Sequence, residues 1–213
     1  MNIDFDCVIV ANGLFPSREE ILIYLSEVPA LVACDGAAES LLSRGFKPTA
    51  IVGDLDSLPE EIRYSSVCEV RYSEEQMTND LTKAVHFAHE KGYKRILILG
   101  ATGLREDHTL GNISLLTSYI DLFEQVEMMS DFGVFIPMKT SRTFKSQKGQ
   151  QISIFCITPQ VEVTTTGLRW EVTNRRFESW WQGTLNEAIG TEFTISVEGE
   201  ALLVIYKAFV DCK

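Results

Sequence analysis

The N-terminal half of the chain alternates short, continuous apolar runs with segments whose apolar residues recur at helical spacing. Continuous runs of this kind are typical of strands covered on both faces, and the recurring spacing is typical of amphipathic helices. Because such an alternation produces a mostly parallel sheet with helices on both faces, we predict an α/β domain. The predicted strands cover residues 7–11, 30–34, 49–52, 69–72, 95–99 and 126–129. The predicted helices start at a capping-box pattern in residues 17–20 and continue with 37–44, 80–90 and 110–122, the last with Leu110, Ile113, Leu116 and Ile120 on one side.

Polar or glycine-rich residues follow several of these predicted strands. Asn12, Asp35 and Asp54 each stand just after an apolar run, and another run ends at Gly100. In a parallel sheet the carboxyl ends of the strands share one edge, and ligands bind outside that edge. The sequence therefore predicts a binding site where these strand ends meet.

Two aspartates in residues 51–57 (IVGDLDS) stand two positions apart. In an extended segment Asp54 and Asp56 would point the same way, and two adjacent carboxylates repel unless a positive charge lies between them. A hard cation such as Mg²⁺ would relieve that repulsion. A polar turn with two solvated aspartates is the alternative. Asp80, in the first turn of a predicted helix, is a third candidate, although the helix dipole alone favours an acid there.

The loop at residues 100–108 (GATGLREDH) combines features of an anion site. Glycines after a strand let backbone N–H groups approach an anion, and Arg105 offers a planar fork to phosphate oxygens. Asp107 and His108 are predicted to open the next helix. The loop is neither a Walker A loop nor a dinucleotide fingerprint, and a capped strand-to-helix turn is the generic alternative.

The C-terminal part of the chain has a different residue pattern. Short β-rich runs follow one another at residues 152–158, 161–165, 193–197 and 201–206, with turn residues between them. This pattern is typical of an all-β sandwich or barrel. The predicted fold class is therefore α/β plus all-β, with a mostly parallel sheet in residues 1–135 and a β-sandwich in residues 136–213.

Composition limits the partners and the compartment. A net charge of −11 without a basic stripe argues against nucleic acid. Five cysteines without a Cys-x-x-Cys pair suit buried thiols in a reducing cytosol. The N-terminus has no basic region of the kind a signal peptide carries, and no apolar run approaches the roughly 20 residues of a membrane span. We expect a cytoplasmic protein without membrane or nucleic-acid partners.

Four segments resemble, in order and spacing, the signature set of the thiamine pyrophosphokinase family. They are residues 35–38 (DGAA), 53–57 (GDLDS), 79–83 (NDLTK) and 103–108 (GLREDH). Residues 167–170 (GLRW) are similar to a Gly-Leu-Lys-Trp segment of that family's second domain. Each motif alone is weak, but four in order over nearly the whole chain are specific. The resemblance implies Mg²⁺-dependent transfer of the pyrophosphoryl group of ATP to the hydroxyl of thiamine, with release of AMP, in a homodimer with a composite active site.

The resemblance also implies roles for individual residues. Asp54, Asp56 and Asp80 would hold Mg²⁺, and Asp35 would be a fourth catalytic acid close by. The implied ATP-binding residues are Thr82, Lys83, Gly103, Arg105, Asp107, His108 and Asn112. The implied thiamine-binding residues are Gln76, Trp170, Thr184 and Asn186.

One segment departs from the family pattern. Leu185 stands where the family usually carries a serine, and a Trp180-Trp181 pair precedes it. Polar contacts to thiamine would then come from Thr184 or Asn186, or be missing. Trp170 itself would stack on the thiamine pyrimidine, although its charged neighbours suggest an alternating strand in which it could equally be a core residue.

Two other classes of function fit the same acids. A phosphatase with a nucleophilic Asp-x-Asp would form an aspartyl-phosphate and need no ATP. A non-catalytic sensor would bind ATP and turn nothing over. Phosphoryl-type transfer requires mainly positioning and charge neutralisation, which carboxylates, Mg²⁺ and Arg105 would supply.

Overall fold

The computed structural model describes residues 4–56, 58, 68–73, 77–158 and 160–211. The chain divides into two compact units, of which the first comprises Met1–Leu115 with Asp121–Asp131. The second unit comprises Leu116–Ile120 with Phe132–Lys213.

The first unit contains a parallel sheet in the order β6-β5-β1-β2-β3-β4. The strands with continuous apolar sequences, β1, β2, β3 and β5, are almost wholly buried. The strand order reverses between β1 and β5, which creates a crevice at the carboxyl ends of those two strands. The strands are β1 Cys7–Val10, β2 Ala30–Cys34, β3 Ala50–Gly53, β4 Glu69–Tyr72, β5 Arg95–Leu99 and β6 Gln125–Ser130.

Helices connect these strands as predicted. They are α1 Glu19–Glu27, α2 Ala37–Leu42, α3 Asp80–Glu90 and α4 Glu106–Leu115, followed by a 3₁₀ helix at Leu116–Leu122. The predicted apolar stripe on the last helix is wrong at Leu110, which is 55% exposed. Ile113 and Leu116 are buried as predicted, so burial of this stripe begins one turn later than expected. The α-helix then tightens to three residues per turn at Leu116.

The predicted capping box at the start of α1 is also wrong. The N-cap residue is Arg18, and its side chain makes no capping hydrogen bond. The carboxylate of Asp131 takes this role instead, accepting hydrogen bonds from Ser17 N–H and Ser17 Oγ at 3.0 and 2.6 Å and from Arg18 N–H at 3.2 Å. A residue far along the chain therefore binds the N–H groups just before the helix, including that of Ser17, which the predicted capping box would have bound locally.

The second unit contains two antiparallel sheets, in the orders β12-β9-β14-β7 and β11-β10-β13-β8. Buried residues alternate along β9, β10 and β13, as in strands with one face in a core. The Phe144 and Phe193 rings stack in this core with their centroids 5.1 Å apart. The strands are β7 Gly133–Met138, β8 Arg142–Lys145, β9 Gln151–Cys156, β10 Glu162–Thr166, β11 Arg175–Arg176, β12 Asn186–Glu187, β13 Glu192–Val197 and β14 Leu203–Ala208.

The predicted fold class is confirmed by these two arrangements. The four predicted β runs correspond to β9, β10, β13 and β14. Among the helices that the structure describes, none has the length and apolar character needed to cross a membrane.

Candidate active site

A cleft of about 640 Å³ lies at the carboxyl edge of the parallel sheet in the first unit, and we name it the acidic cleft. Its walls come from the segments that follow β1, β2, β3 and β5 and from the first turns of α3 and α4. The polar side chains that line it are Asn12, Asp35, Asp54, Asp56, Asn79, Asp80, Thr102, Arg105, Asp107, His108, Thr109 and Asn112.

Three aspartates of the acidic cleft form a close group. Asp35, Asp54 and Asp56 each offer one carboxylate oxygen, and these oxygens lie within 4.8 Å of one another. The three aspartates differ in exposure: Asp35 is only 5% exposed, whereas Asp56 is open to solvent. Three carboxylate oxygens at this separation repel one another strongly, and a hard cation among them would remove the repulsion.

Backbone geometry explains how Asp54 and Asp56 come to face the cleft together. Leu55 has a φ of +61° and is buried, so the chain turns between the two acids and places the leucine in the core. Asp56 N–H donates to Asp54 Oδ1 at 3.3 Å within this turn. A Cβ on Gly53 would stand 2.8 Å from Asp35 Cβ, so only glycine lets the turn approach Asp35. A turn, and not the extended segment assumed from the sequence, pairs the acids.

Asp80 lines the same cleft but lies outside the close group of described acids. Its carboxylate accepts a hydrogen bond from Lys83 Nζ at 3.0 Å, and the Lys83 side chain is only 8% exposed. In this cleft Asp80 is therefore paired with the ammonium of Lys83. The group formed by Asp35, Asp54 and Asp56 lies in the same cleft. From the sequence, Asp80 was predicted to be a metal ligand and Asp35 was predicted to lie close to the metal.

The predicted anion loop is braced from two sides. Gly13 N–H donates to Gly100 O at 2.6 Å and Leu14 N–H donates to Thr102 O at 2.8 Å. Asn112 Nδ2 donates to Ala101 O at 2.9 Å, and Asn112 Oδ1 accepts from Asn79 Nδ2 at 3.1 Å. Asn79 is the N-cap of α3, accepting from Thr82 N–H at 2.9 Å. The amide of Asn112 therefore ties the loop to the start of the helix that carries Asp80.

Arg105 and Asp107 pair with each other at the mouth of the cleft. Two hydrogen bonds join them, Nη2 to Oδ2 at 2.5 Å and Nε to Oδ1 at 3.1 Å. Hydrogen bonds from the Arg105 guanidinium lower the pKa of the Asp107 carboxyl to about 2. Because both groups are exposed, a phosphate that binds Arg105 has only to displace a solvated carboxylate.

Cys34 also borders the acidic cleft but offers no nucleophile. Burial raises the pKa of its thiol, and the carboxylates of Asp80 and Asp35 raise it further. The thiol therefore stays protonated at neutral pH, and the thiolate needed for covalent chemistry does not form.

Replacing Gly13 by alanine is expected to disturb the loop. The new Cβ would lie 2.4 Å from Gly100 O and 2.7 Å from Thr102 O, so the backbone must move. We expect a loss of stability of about 1–3 kcal/mol. Gly111→Ala is the matched control, because Gly111 lines the same cleft with open space around its Cα, and it should not lower stability. Denaturant unfolding of both variants tests this, and equal stability of the two would contradict it.

A second cavity, of about 260 Å³, lies in the second unit, and we name it the aromatic pocket. Trp170 lines it and is 57% exposed, so it is not a core residue. The predicted alternating strand around Trp170 is wrong. Gly167, at a φ of +79°, and a hydrogen bond from its N–H to Glu171 Oε1 at 2.7 Å turn the chain there. The lining residues are Ile154, Thr165, Trp170, Val172, Phe177, Gln182, Gly183, Thr184, Leu185 and Asn186.

Leu185, which stands where the family usually carries a serine, lines the aromatic pocket. Leu185 has a φ of +59° and is mostly exposed, and its N–H donates to Ser153 Oγ at 3.3 Å. Thr184 Oγ1 donates to Trp181 O at 2.7 Å, which leaves its lone pairs to accept from a ligand. The amide of Asn186 bonds the backbone of Trp170.

The structure thus brings most of the predicted site residues into two cavities. Thr82, Lys83 and Gly103 are not among the described residues that line the acidic cleft. Gln76 lies outside the described residues. Sequence reasoning did not single out Asn79, whose position before a predicted helix was a usable N-cap signal. It also missed Phe177 and Gln182, which lie in irregular sequence without a periodic signal.

Comparisons with known proteins also divide the chain into two parts. Residues 22–129 match a family model described as thiamin pyrophosphokinase, catalytic domain. Residues 133–206 match one described as thiamin pyrophosphokinase, substrate-binding domain. The matched class is therefore a kinase with separate catalytic and substrate-binding domains. The chain belongs to the thiamin pyrophosphokinase family.

Individual relatives support the assignment. Thiamine pyrophosphokinase 1 of Oryza sativa subsp. japonica is 34% identical over 144 residues, which are 61% of this chain and 54% of the rice protein. This chain therefore spans about half the length of such plant relatives. Thiamine pyrophosphokinase of Bacillus subtilis is 28% identical over 174 residues, 78% of this chain and 81% of that protein.

Solved structures share the fold over almost the full chain. The crystal structure of the Bacillus subtilis thiamine pyrophosphokinase superposes with a TM-score of 0.80 at 24% identity, covering 95% of this chain and 98% of that one. Yeast thiamin pyrophosphokinase superposes with a TM-score of 0.76 at 18% identity, covering 99% and 89%.

Proposed function

We propose that this chain is a thiamine pyrophosphokinase, transferring the pyrophosphoryl group of ATP to the hydroxyl of thiamine with release of AMP. The observation that carries the proposal is the acidic cleft, whose lining includes Arg105 and three aspartates with carboxylate oxygens within 4.8 Å of one another. Membership of the family supplies the substrate pair. Phosphoryl-type transfer needs positioned charge more than covalent chemistry, and the cleft offers that.

The acid group suits Mg²⁺, which takes oxygen ligands and keeps several waters. We propose Asp54 and Asp56 as ligands, with Asp35 and Asp80 completing the acidic wall. The ion, when bound, would neutralise phosphate charge and orient the transferred group. Asp35, which is almost fully buried, would form the inner end of that wall.

The ATP phosphates are proposed to lie along the loop that follows β5. Arg105 would exchange its bond to Asp107 for phosphate oxygens, and His108 would flank the nucleotide from the first turn of α4. Lys83 is almost buried against Asp80, and its part would be to hold that acid in place. Asn112, Thr82 and Gly103 would act by shaping the loop and the helix start.

Thiamine is proposed to bind the aromatic pocket, with its pyrimidine on the exposed face of Trp170 and with Gln76 as a further contact. The second unit exposes more than half of the side chains of Trp170, Trp181, Leu185 and Ile189. Large exposed apolar side chains of this kind mark interaction surfaces. We propose a homodimer in the cytoplasm in which the pocket of one protomer serves the cleft of its partner, with residues 1–135 catalytic and residues 136–213 binding thiamine.

In the proposed reaction the thiamine hydroxyl oxygen forms a bond to the β-phosphorus of ATP and loses its proton, which passes to solvent. The bond from that phosphorus to the oxygen bridging it to the α-phosphorus breaks, and AMP leaves. One carboxylate of the cleft would orient the hydroxyl, and Arg105 would offset charge on the phosphates.

Chromatography of a mixture of protein, ATP, Mg²⁺ and thiamine tests the proposal. We expect equal amounts of AMP and thiamine diphosphate, and neither when thiamine is omitted. ADP would identify an ordinary kinase, and phosphate released without thiamine would identify a phosphatase. ATP binding without any product would identify a sensor.

A further inference from the structure

The side chain of Asn186 is engaged by the backbone of a single distant residue, Trp170. Asn186 Oδ1 accepts a hydrogen bond from Trp170 N–H at 3.2 Å, and Asn186 Nδ2 donates to Trp170 O at 2.8 Å. The two bonds run in opposite directions and hold the peptide groups on both sides of the Trp170 Cα. Such a two-point attachment fixes the direction in which the side chain leaves the backbone.

Asn186 is itself anchored in regular structure. It lies in β12, opposite Ile152 of β9, and its Oδ1 also accepts from Glu187 N–H at 2.8 Å. The next residues continue the connection, because Arg169 N–H donates to Glu187 O at 2.8 Å and Leu168 forms a bridge with Ala188. The amide therefore projects from a sheet edge toward a segment that has no strand of its own.

Among the described residues, neither strand pairing of its own nor a strong ring contact fixes Trp170. This residue lies in a bend outside the named strands and is 57% exposed. The Arg169 guanidinium lies 5.5 Å from the ring centroid, where an exposed pair adds little rigidity. Among the described residues, the hydrogen bonds exchanged with Asn186 are therefore the directional contacts that hold the backbone of Trp170 at this wall of the aromatic pocket.

We propose that Asn186 is a positioning residue, which acts on the ligand of the aromatic pocket only through the Trp170 ring. A ring held in place before binding need not be ordered when the ligand arrives, so the ligand binds more tightly. The proposal rests on the proposed function only in taking that ligand to be thiamine. It replaces the direct Asn186 contact expected from the sequence.

The first test needs no substrate. Trp170, Trp180 and Trp181 are the tryptophans of the chain, so a Trp180→Phe/Trp181→Phe background leaves Trp170 as the single emitter. In that background Asn186→Ala should lower the fluorescence anisotropy of Trp170 and raise its quenching by acrylamide. Unchanged anisotropy and quenching would overturn the proposal.

Gln150→Ala is the matched control for lost amide bonds. Gln150 Nε2 donates to Ala208 O at 2.7 Å and its Oε1 accepts from Gln147 N–H at 3.3 Å, and neither partner lines the pocket. It should leave Trp170 emission unchanged. Should Asn186→Ala fail to fold by circular dichroism, Asn186→Asp keeps the acceptor but loses the donor, and it should shift Trp170 in the same direction to a smaller extent.

The second test separates positioning from contact. Asn186→Ala should raise the thiamine KM by a few-fold to about 30-fold, the range of a lost ring contact, when Trp170 is present. It should add nothing in a Trp170→Ala chain. Equal rises in both backgrounds would show direct contact and overturn the proposal. A change in Trp170 emission with an unchanged thiamine KM would support positioning while refuting the thiamine site.

Discussion

Replacing Asp54 by asparagine is expected to lower turnover by about 100-fold or more while the fold stays intact. The change removes one charge from a group of three carboxylate oxygens within 4.8 Å, and the bound Mg²⁺ loses its strongest kind of ligand. Asp56→Asn and Asp80→Asn should have the same direction of effect. Steady-state turnover at increasing Mg²⁺ concentration measures both the rate and the apparent metal affinity, and chelation with EDTA should abolish activity.

Asp4→Asn is the control for this series. Asp4 pairs with Arg95 just before β1, at the sheet edge opposite the acidic cleft, and its side chain is mostly exposed. Its loss removes an equal charge without touching the cleft, so turnover should stay near normal. If two of the three cleft variants also kept near-normal turnover, the metal assignment would be wrong.

Asp35→Asn should show whether Asp35 or Asp80 is the third metal ligand. The sequence favoured Asp80 as the third ligand, whereas the structure places Asp35 in the close group and pairs Asp80 with Lys83. If Asp35 shares the metal, its variant should require more Mg²⁺ than Asp80→Asn does for half-maximal rate.

Trp170→Ala is expected to raise the thiamine KM by about 2- to 30-fold, the equivalent of a lost ring–cation contact of about 0.5–2 kcal/mol. The ATP KM should change much less, because the proposed ATP residues belong to the first unit. The melting temperature should change little, since Trp170 is 57% exposed. Phe132→Ala, which removes another mostly exposed ring outside the pocket lining, is the control.

Trp170→Ala also tests whether the active site is formed by two protomers. Mixing inactive Asp54→Asn chains with Trp170→Ala chains should restore activity through hybrid dimers if the ring serves the partner's cleft. A large fall in melting temperature with an unaltered thiamine KM would refute the pocket role of Trp170.

Local sequence signals predicted the parallel sheet closely. The limits of β2, β4, β5 and α3 agree with the prediction at both ends. Those of β2, β5 and α3 were predictable because each is an apolar or periodic run next to a clear breaker. The strand ends that meet at the acidic cleft were predictable for the same reason, since parallel strands bring their carboxyl ends to one edge.

Features that depend on long-range contacts were not predictable. The carboxylate at the start of α1 comes from Asp131, more than a hundred positions from Ser17, and no local pattern indicates it. Trp170 and Asn186 are 16 positions apart in irregular sequence, so their hydrogen bonds emerge only in three dimensions. Leu55 at a φ of +61° is equally hidden, because leucine rarely adopts that conformation.

The fate of the β-phosphorus of ATP tests the proposed function most directly. ATP labelled with ³²P at the β position, incubated with the protein, Mg²⁺ and thiamine, should transfer its label to thiamine diphosphate while unlabelled AMP accumulates. Transfer should stop when thiamine is omitted or Asp54 is replaced by asparagine. Label recovered in ADP, with none in thiamine diphosphate, would contradict pyrophosphoryl transfer.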